Sequence, residues 1–151
     1  MTEVLIFAAK SARVKVLLTL VLFVWSSQAA FGQNRLEVQV EGVGSSEGLI
    51  HVAIYNTEKE FLKEAGVFRT DSAKATKGVT RVSIENLPSG NYALAIFHDQ
   101  NANERLDTNW IGIPKEPIGF SNARVKPFGP PSFRDCMLVL QQDMVIHIPL
   151  Q

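Results

Sequence analysis

The chain has 151 residues with 15 basic and 15 acidic side chains, so its formal charge is zero, and 46% of its residues are hydrophobic. That balance excludes a basic nucleic-acid binder and a charge-extended disordered chain, because neither a Lys/Arg cluster nor a polar excess is present. A single cysteine, Cys136, excludes any disulfide within the chain, leaving packing, alone or with a metal, to hold the fold.

Residues 1–32 read as a leader. Lys10, Arg13 and Lys15 precede an apolar run from Val16 to Trp25 broken only by Thr19, and small residues follow through Ala29, Ala30 and Gly32. A positive start, a short apolar run and a small-residue exit describe a secretory signal peptide. The run is shorter than the roughly 20 apolar residues of a comfortable span. Cleavage after Gly32 leaves Gln33 first, and the expected location is extracytoplasmic, periplasmic or secreted. Residues 33–151 carry 12 basic and 14 acidic groups and fit one domain.

Period-two alternation dominates this part of the chain. Leu36, Val38 and Val40 interleave with Glu37, Gln39 and Glu41; Ile50, Val52 and Ile54 alternate with Leu49, His51, Ala53 and Tyr55. Thr57 to Glu64 carries helix formers and a Thr-x-x-Glu capping box, which predicts one short helical turn. Thr80, Val82 and Ile84 form a further alternating set, and the strand from Tyr92 to Phe97 is apolar on both faces. Near the end, Cys136–Leu140 and Met144–Leu150 predict a hairpin about Gln141-Gln142-Asp143, with Cys136 a small buried hydrophobe in a strand. Glu41-Gly42-Val43-Gly44, Lys77-Gly78 and Pro88-Ser89-Gly90 supply the turns. The pattern predicts an all-β antiparallel sandwich, Ig-like or transthyretin-like, of seven to eight strands with one short helical turn. From Trp110 to Ser132 the periodicity stops, but Trp110, Phe120 and Phe128 predict an ordered Gly/Pro-rich loop, folded over one end of the sandwich beside the preceding loop.

That preceding loop runs Asp99-Gln100-Asn101-Ala102-Asn103-Glu104-Arg105-Leu106-Asp107, with short oxygen-bearing side chains at relative positions 1, 3, 5 and 9. The spacing matches the front half of a calcium loop, where alternate residues turn oxygens onto a hard cation. Asp99, Asn101, Asn103 and Asp107 are the expected side-chain ligands, Arg105 contributes its carbonyl, and Glu116 is the candidate distal carboxylate because Trp110 stands where a closing acid belongs. Glu104 stands where the loop wants a Gly. An all-oxygen set favours Ca²⁺ over zinc or copper. The competing reading is an Asn/Asp-rich turn without metal.

An enzyme is not expected. His51, His98 and His147 have no ligand spacing, Ser121 in Gly-Phe-Ser-Asn is not a nucleophile elbow, and Asp99 with Asp107 resembles ligands more than a glycosidase pair. The expected function is an exported, non-enzymatic binding or structural module whose partner is an envelope protein or a glycan. The alternative is a small hydrolase using loop carboxylates.

Leu87-Pro88-Ser89-Gly90-Asn91-Tyr92, Phe97-His98-Asp99-Gln100-Asn101-Ala102-Asn103 and Leu106-Asp107-Thr108-Asn109 together resemble the bacterial DUF2141 family. Gly112-Ile113-Pro114-Lys115-Glu116, Gly119-Phe120-Ser121-Asn122 and Gly129-Pro130-Pro131-Ser132-Phe133 extend the resemblance, which runs from about Arg35 onward. Where that family commonly has Asn-Gly, this chain has Asn103-Glu104. The resemblance implies an exported protein of sandwich fold and brings no reaction with it.

Overall fold

The computed structural model describes residues 33–126 and 129–151. The expected signal peptide, and Pro127 and Phe128 of the long loop, lie outside the described residues.

The alternating runs become strands because each has one face to bury. β1 (Gln33–Val43), β4 (Gly78–Pro88) and β8 (Met144–Pro149) form one sheet, with β1 in the centre. β2 (Leu49–Tyr55), β3 (Arg69–Lys74), β5 (Gly90–Asp99) and β6 (Ile118–Phe120) form the second in the order β3-β2-β5-β6, and β7 (Leu138–Leu140) pairs with β5. Leu36, Val38, Val40, Ile50, Val52, Ile54, Val82, Ile84, Leu94, Ile96, Leu140 and Ile148 pack into one core. Each such side chain contributes roughly 1.5–3 kcal/mol when fully buried. The all-β sandwich is thus the fold. Among the described residues no helix is long and apolar enough to cross a membrane.

Local chemistry explains the turn into β5. The Tyr92 hydroxyl donates to the Pro88 carbonyl at 2.9 Å, tying the start of the strand to the turn before it. A Cβ on Gly90 would meet the Tyr92 ring at 3.4 Å, so the Pro-x-Gly-x-Tyr piece is a compact lock.

Four expectations need correction. The hairpin expected between Cys136–Leu140 and Met144–Leu150 does not form. β7 lies antiparallel to β5, whereas β8 lies parallel to β1, with Val38 opposite Ile146 and Val40 opposite Ile148. The link at Gln141–Asp143 therefore carries the chain from one sheet to the other, and Asp143 accepts from the Arg35 amide at 2.8 Å. Alternation fixes which face of a strand is buried but not which neighbour it pairs with. Cys136 ends a short helix, α1 (Phe133–Cys136), rather than lying in a strand. Ser132 caps α1 in a reciprocal capping box with Asp135. The helical turn expected over Thr57–Glu64 is a succession of turns, followed by a 3₁₀ turn at Glu64–Gly66.

The long loop also takes a different course. It contains β6, and with α1 it covers the outer face of the second sheet rather than only an end. Tyr55, Ala93, Phe120, Phe133 and Cys136 form a second buried cluster there, with Phe61, Val67 and Ala123 packed against it. This cover explains why β5 is apolar on both faces. Ser121 holds it in place: its hydroxyl donates to the Cys136 carbonyl at 2.5 Å and accepts from the Leu94 amide at 2.9 Å. Burial pushes the Cys136 thiol up to about 11, as suits an inert packing residue.

Candidate functional site

The Asp99 loop leaves the end of β5, an interior strand, at one end of the second sheet. Asp99 is opposite Leu49, and His51 is opposite Phe97. His51 and Phe97 stack at 4.9 Å on the same face as Asp99.

Asp99 is fully buried, and its carboxylate is aimed at the backbone of its own loop. One oxygen accepts from the Asn103 amide at 3.1 Å, the other from the Glu104 amide at 2.8 Å. The Nε2 of His51 stands 3.3 Å from Asp99 Oδ2, a contact that becomes an ion pair when the ring is protonated. Burial raises the carboxyl's pKa, but the Glu104 and Asn103 amides, together with His51, lower it further, and the net position is below the ordinary 3.8. The ionised form is therefore the one that favours the folded state. Its stabilisation is present above the unfolded value of 3.8 and is lost as pH falls below that value through the folded one. Asp99→Asn is accordingly expected to melt below wild type at neutral pH, with the gap closing below about pH 4. Thermal melts of both proteins from about pH 6 to about pH 3 check this, and a gap that stays constant counts against it.

Asp107 sits across the loop. Its two oxygens accept from the side-chain NH₂ groups of Asn101 at 2.8 Å and Asn103 at 3.2 Å. The oxygens of the same two amides accept from the backbone: Asn101 from the Asn103 N–H at 3.1 Å, Asn103 from the Arg105 N–H at 2.9 Å. The loop is thus a closed lattice in which NH₂ dipoles supply the positive ends around Asp107. Each amide oxygen keeps a second lone pair. Rotation of the two amides would exchange NH₂ for oxygen in front of Asp107.

Glu104 takes a φ of 63°, the left-handed region that favours Gly, so the turn forms here with a glutamate in that position. Ala102 has a φ of 56°. Both are non-glycine residues held where backbone strain is ordinarily avoided.

Glu116 is brought beside the loop and bridges its two ends. One carboxylate oxygen accepts from the Gln100 amide at 3.2 Å, the other from the Asp107 amide at 3.0 Å. Arg105 joins the lattice through its N–H. The structure therefore brings all six expected ligand residues into one assembly. Acidic side chains alone do not make a metal set: among the described residues, no three His, Cys, Asp or Glu side chains converge as one.

The histidines separate. His98 faces the core, with Nε2 2.8 Å from the Glu47 carbonyl, so this nitrogen carries the proton. His147 pairs with Glu41 at the surface at 2.8 Å. The approach of His51 to Asp99 is a contact at the candidate site that sequence reasoning missed. The signal for it lay in the cross-strand register of β2 on β5, which spacing along one strand does not carry.

No curated protein and no solved structure matches the chain. Residues 38–147 match one family, however, and with the loop, the brace and the covering segment now placed within them, the chain belongs to DUF2141, described as an uncharacterized protein conserved in bacteria.

Proposed function

We propose that this chain is an exported, non-enzymatic binding module whose Asp99–Asp107 loop is stabilised by calcium. The observation that carries the reading is the lattice around Asp107, where two NH₂ groups stand in for a cation's charge and two carboxylates face one small loop. In the bound state Asp99, Asn101, Asn103 and Asp107 would supply side-chain oxygens, Arg105 its carbonyl and water the rest. Glu116 would brace the ends and complete the negative set. Two carboxylates in the loop support weak affinity, on the order of 10⁻⁴–10⁻³ M as in extracellular modules. The sequence pattern of residues 1–32 supports export.

The hydrolase alternative needs a carboxyl poised above its ordinary pKa. Asp99 is held in the opposite direction, with both oxygens engaged by amides. These facts favour a scaffold role.

A calcium titration followed by thermal melting tests the proposal. Calcium at about 100 times Kd adds about 2.7 kcal/mol to the native state. For a domain of this size the melting temperature then rises by several degrees, roughly 2–8 °C. Asp99→Ala removes most of that rise. Identical wild-type melting in EDTA and in millimolar calcium would reduce the loop to a turn.

A further inference from the structure

Beyond Asp107 the chain makes a short excursion, closed at its base by a bridge between Thr108 and Pro114 and by the Lys115 amide donating to the Asp107 carbonyl at 2.8 Å. At its tip Trp110 is 94% exposed, Ile111 56% and Ile113 54%, while Leu106 at the base is 39% exposed. Four large apolar side chains gathered on one projection mark a contact surface rather than scattered exposure.

Four N–H groups of the tip, those of Asn109, Ile111, Gly112 and Ile113, find partners within it. Asn109 Oδ1 accepts from the Ile111 amide at 3.1 Å and the Ile113 amide at 2.9 Å. The Asn109 carbonyl accepts from the Gly112 amide at 3.0 Å, and the Asn109 amide donates to Ile113 at 2.9 Å. Gly112, at a φ of 81°, permits the turn. A tip that stays in water has no need of internal partners, since water supplies them. A tip that enters an apolar phase does need them, because each unpaired amide there costs several kcal/mol.

The charges fit the same destination. Arg105 and Lys115, one on each arm, are exposed. Asp107 between them is turned to the two Asn side chains, and Glu116 is buried. Glu104 is the one exposed acid from Asp99 to Glu116. An indole and two isoleucines flanked by two cations are the side chains that partition to a bilayer interface carrying anionic headgroups.

We infer that the 106–115 excursion is a membrane-docking tip: Trp110, Ile111 and Ile113 enter the headgroup–acyl boundary, and Arg105 and Lys115 meet anionic headgroups. The inference rests on the reading of the chain as a binding module and names its partner. It does not require the cation.

The test uses the full chain carrying Trp25→Phe, which leaves Trp110 as its one tryptophan. Mixed with vesicles of neutral and anionic phospholipid, Trp110 emission moves to shorter wavelength and is quenched by bromine-labelled acyl chains. The Ile111→Ser and Ile113→Ser pair loses that quenching, and each change weakens tip insertion roughly tenfold. Arg105→Gln with Lys115→Gln removes the preference for anionic over neutral vesicles. Because residues 1–32 are apolar enough to hold a vesicle unaided, the readout is the environment of Trp110 and not the bound fraction. Trp110 emission that stays unshifted and unquenched on vesicles overturns the inference and assigns the tip to a protein or glycan. A chain that responds to calcium in melting but shows no quenching keeps the cation loop and loses the lipid. The reverse result keeps the tip and loses the cation loop.

Discussion

Gly48→Ala is expected to cost the fold about 3–5 kcal/mol, the sum of backbone strain and overpacking against main chain. Gly48 has a φ of 71°, where an L side chain is strained regardless of space. Space is also lacking: a Cβ would stand 1.8 Å from the Asp99 carbonyl oxygen and 2.9 Å from the Gln100 Cα. Both neighbours are backbone, held by the pairing of Leu49 with Asp99, so neither yields as a flexible side chain would. The melting temperature should fall by about 10–20 °C. The Asp99–Asp107 loop should be displaced with it, because the pressure falls on the residue that starts the loop. Gly44→Ala is the control: its Cβ meets nothing within 4 Å, and its melting should stay close to wild type. A Gly48→Ala protein that melts within a few degrees of Gly44→Ala contradicts the geometry.

Glu116→Ala should produce the second large loss, about 2–4 kcal/mol, because one carboxylate serves two amides. Hydrogen bonds to a charged acceptor contribute about 1.5–3 kcal/mol each, and their loss orphans the Gln100 and Asp107 N–H groups at the two ends of the loop. Glu116→Gln should recover only part of the loss, since its NH₂ meets one of those amides as donor against donor. Hydrogen exchange localises the effect: the Gln100 and Asp107 amides should lose protection in Glu116→Ala while β1 keeps its own. Unchanged exchange at both amides would show that the brace carries no energy.

The strands of the core were readable because burial on one face writes a period of two into the sequence, as in Leu36-Glu37-Val38-Gln39-Val40. Two strands escaped that signal. β3 reads Arg-Thr-Asp-Ser-Ala-Lys; it is an edge strand, and its polar side chains guard an open edge while hiding it from hydropathy. β6 is three residues long and includes Gly119, where a Cβ would meet Ile148 at 2.9 Å. Its identity depends on close packing against β8 that no local pattern records. The loop from Asp99 to Asp107 was legible in its spacing, and Glu116 in its nearness along the chain. What Glu116 does there was not legible, because its partners are backbone amides that every residue possesses. The exposed tip was equally hidden: Trp110 and Phe120 look alike in a sequence, yet one is in solvent and the other lies in the second core.

The parallel pairing of β1 with β8 has a kinetic consequence. Arg35 and Asp143, joined by a hydrogen bond at the start of that pairing, are 108 residues apart. β1 is the central strand of its sheet, so until the last strand arrives it has β4 on one side and an open row of amides and carbonyls on the other. Loop closure over that distance must precede the contacts that reward it, which makes the step slow for a chain of this size. During synthesis, the Leu36-Val38-Val40 edge is a template that any other extended strand can occupy. Chaperone holding, or the exclusion of neighbouring nascent chains, then governs yield as much as equilibrium stability does. The final strand acts as the latch that ends this exposure.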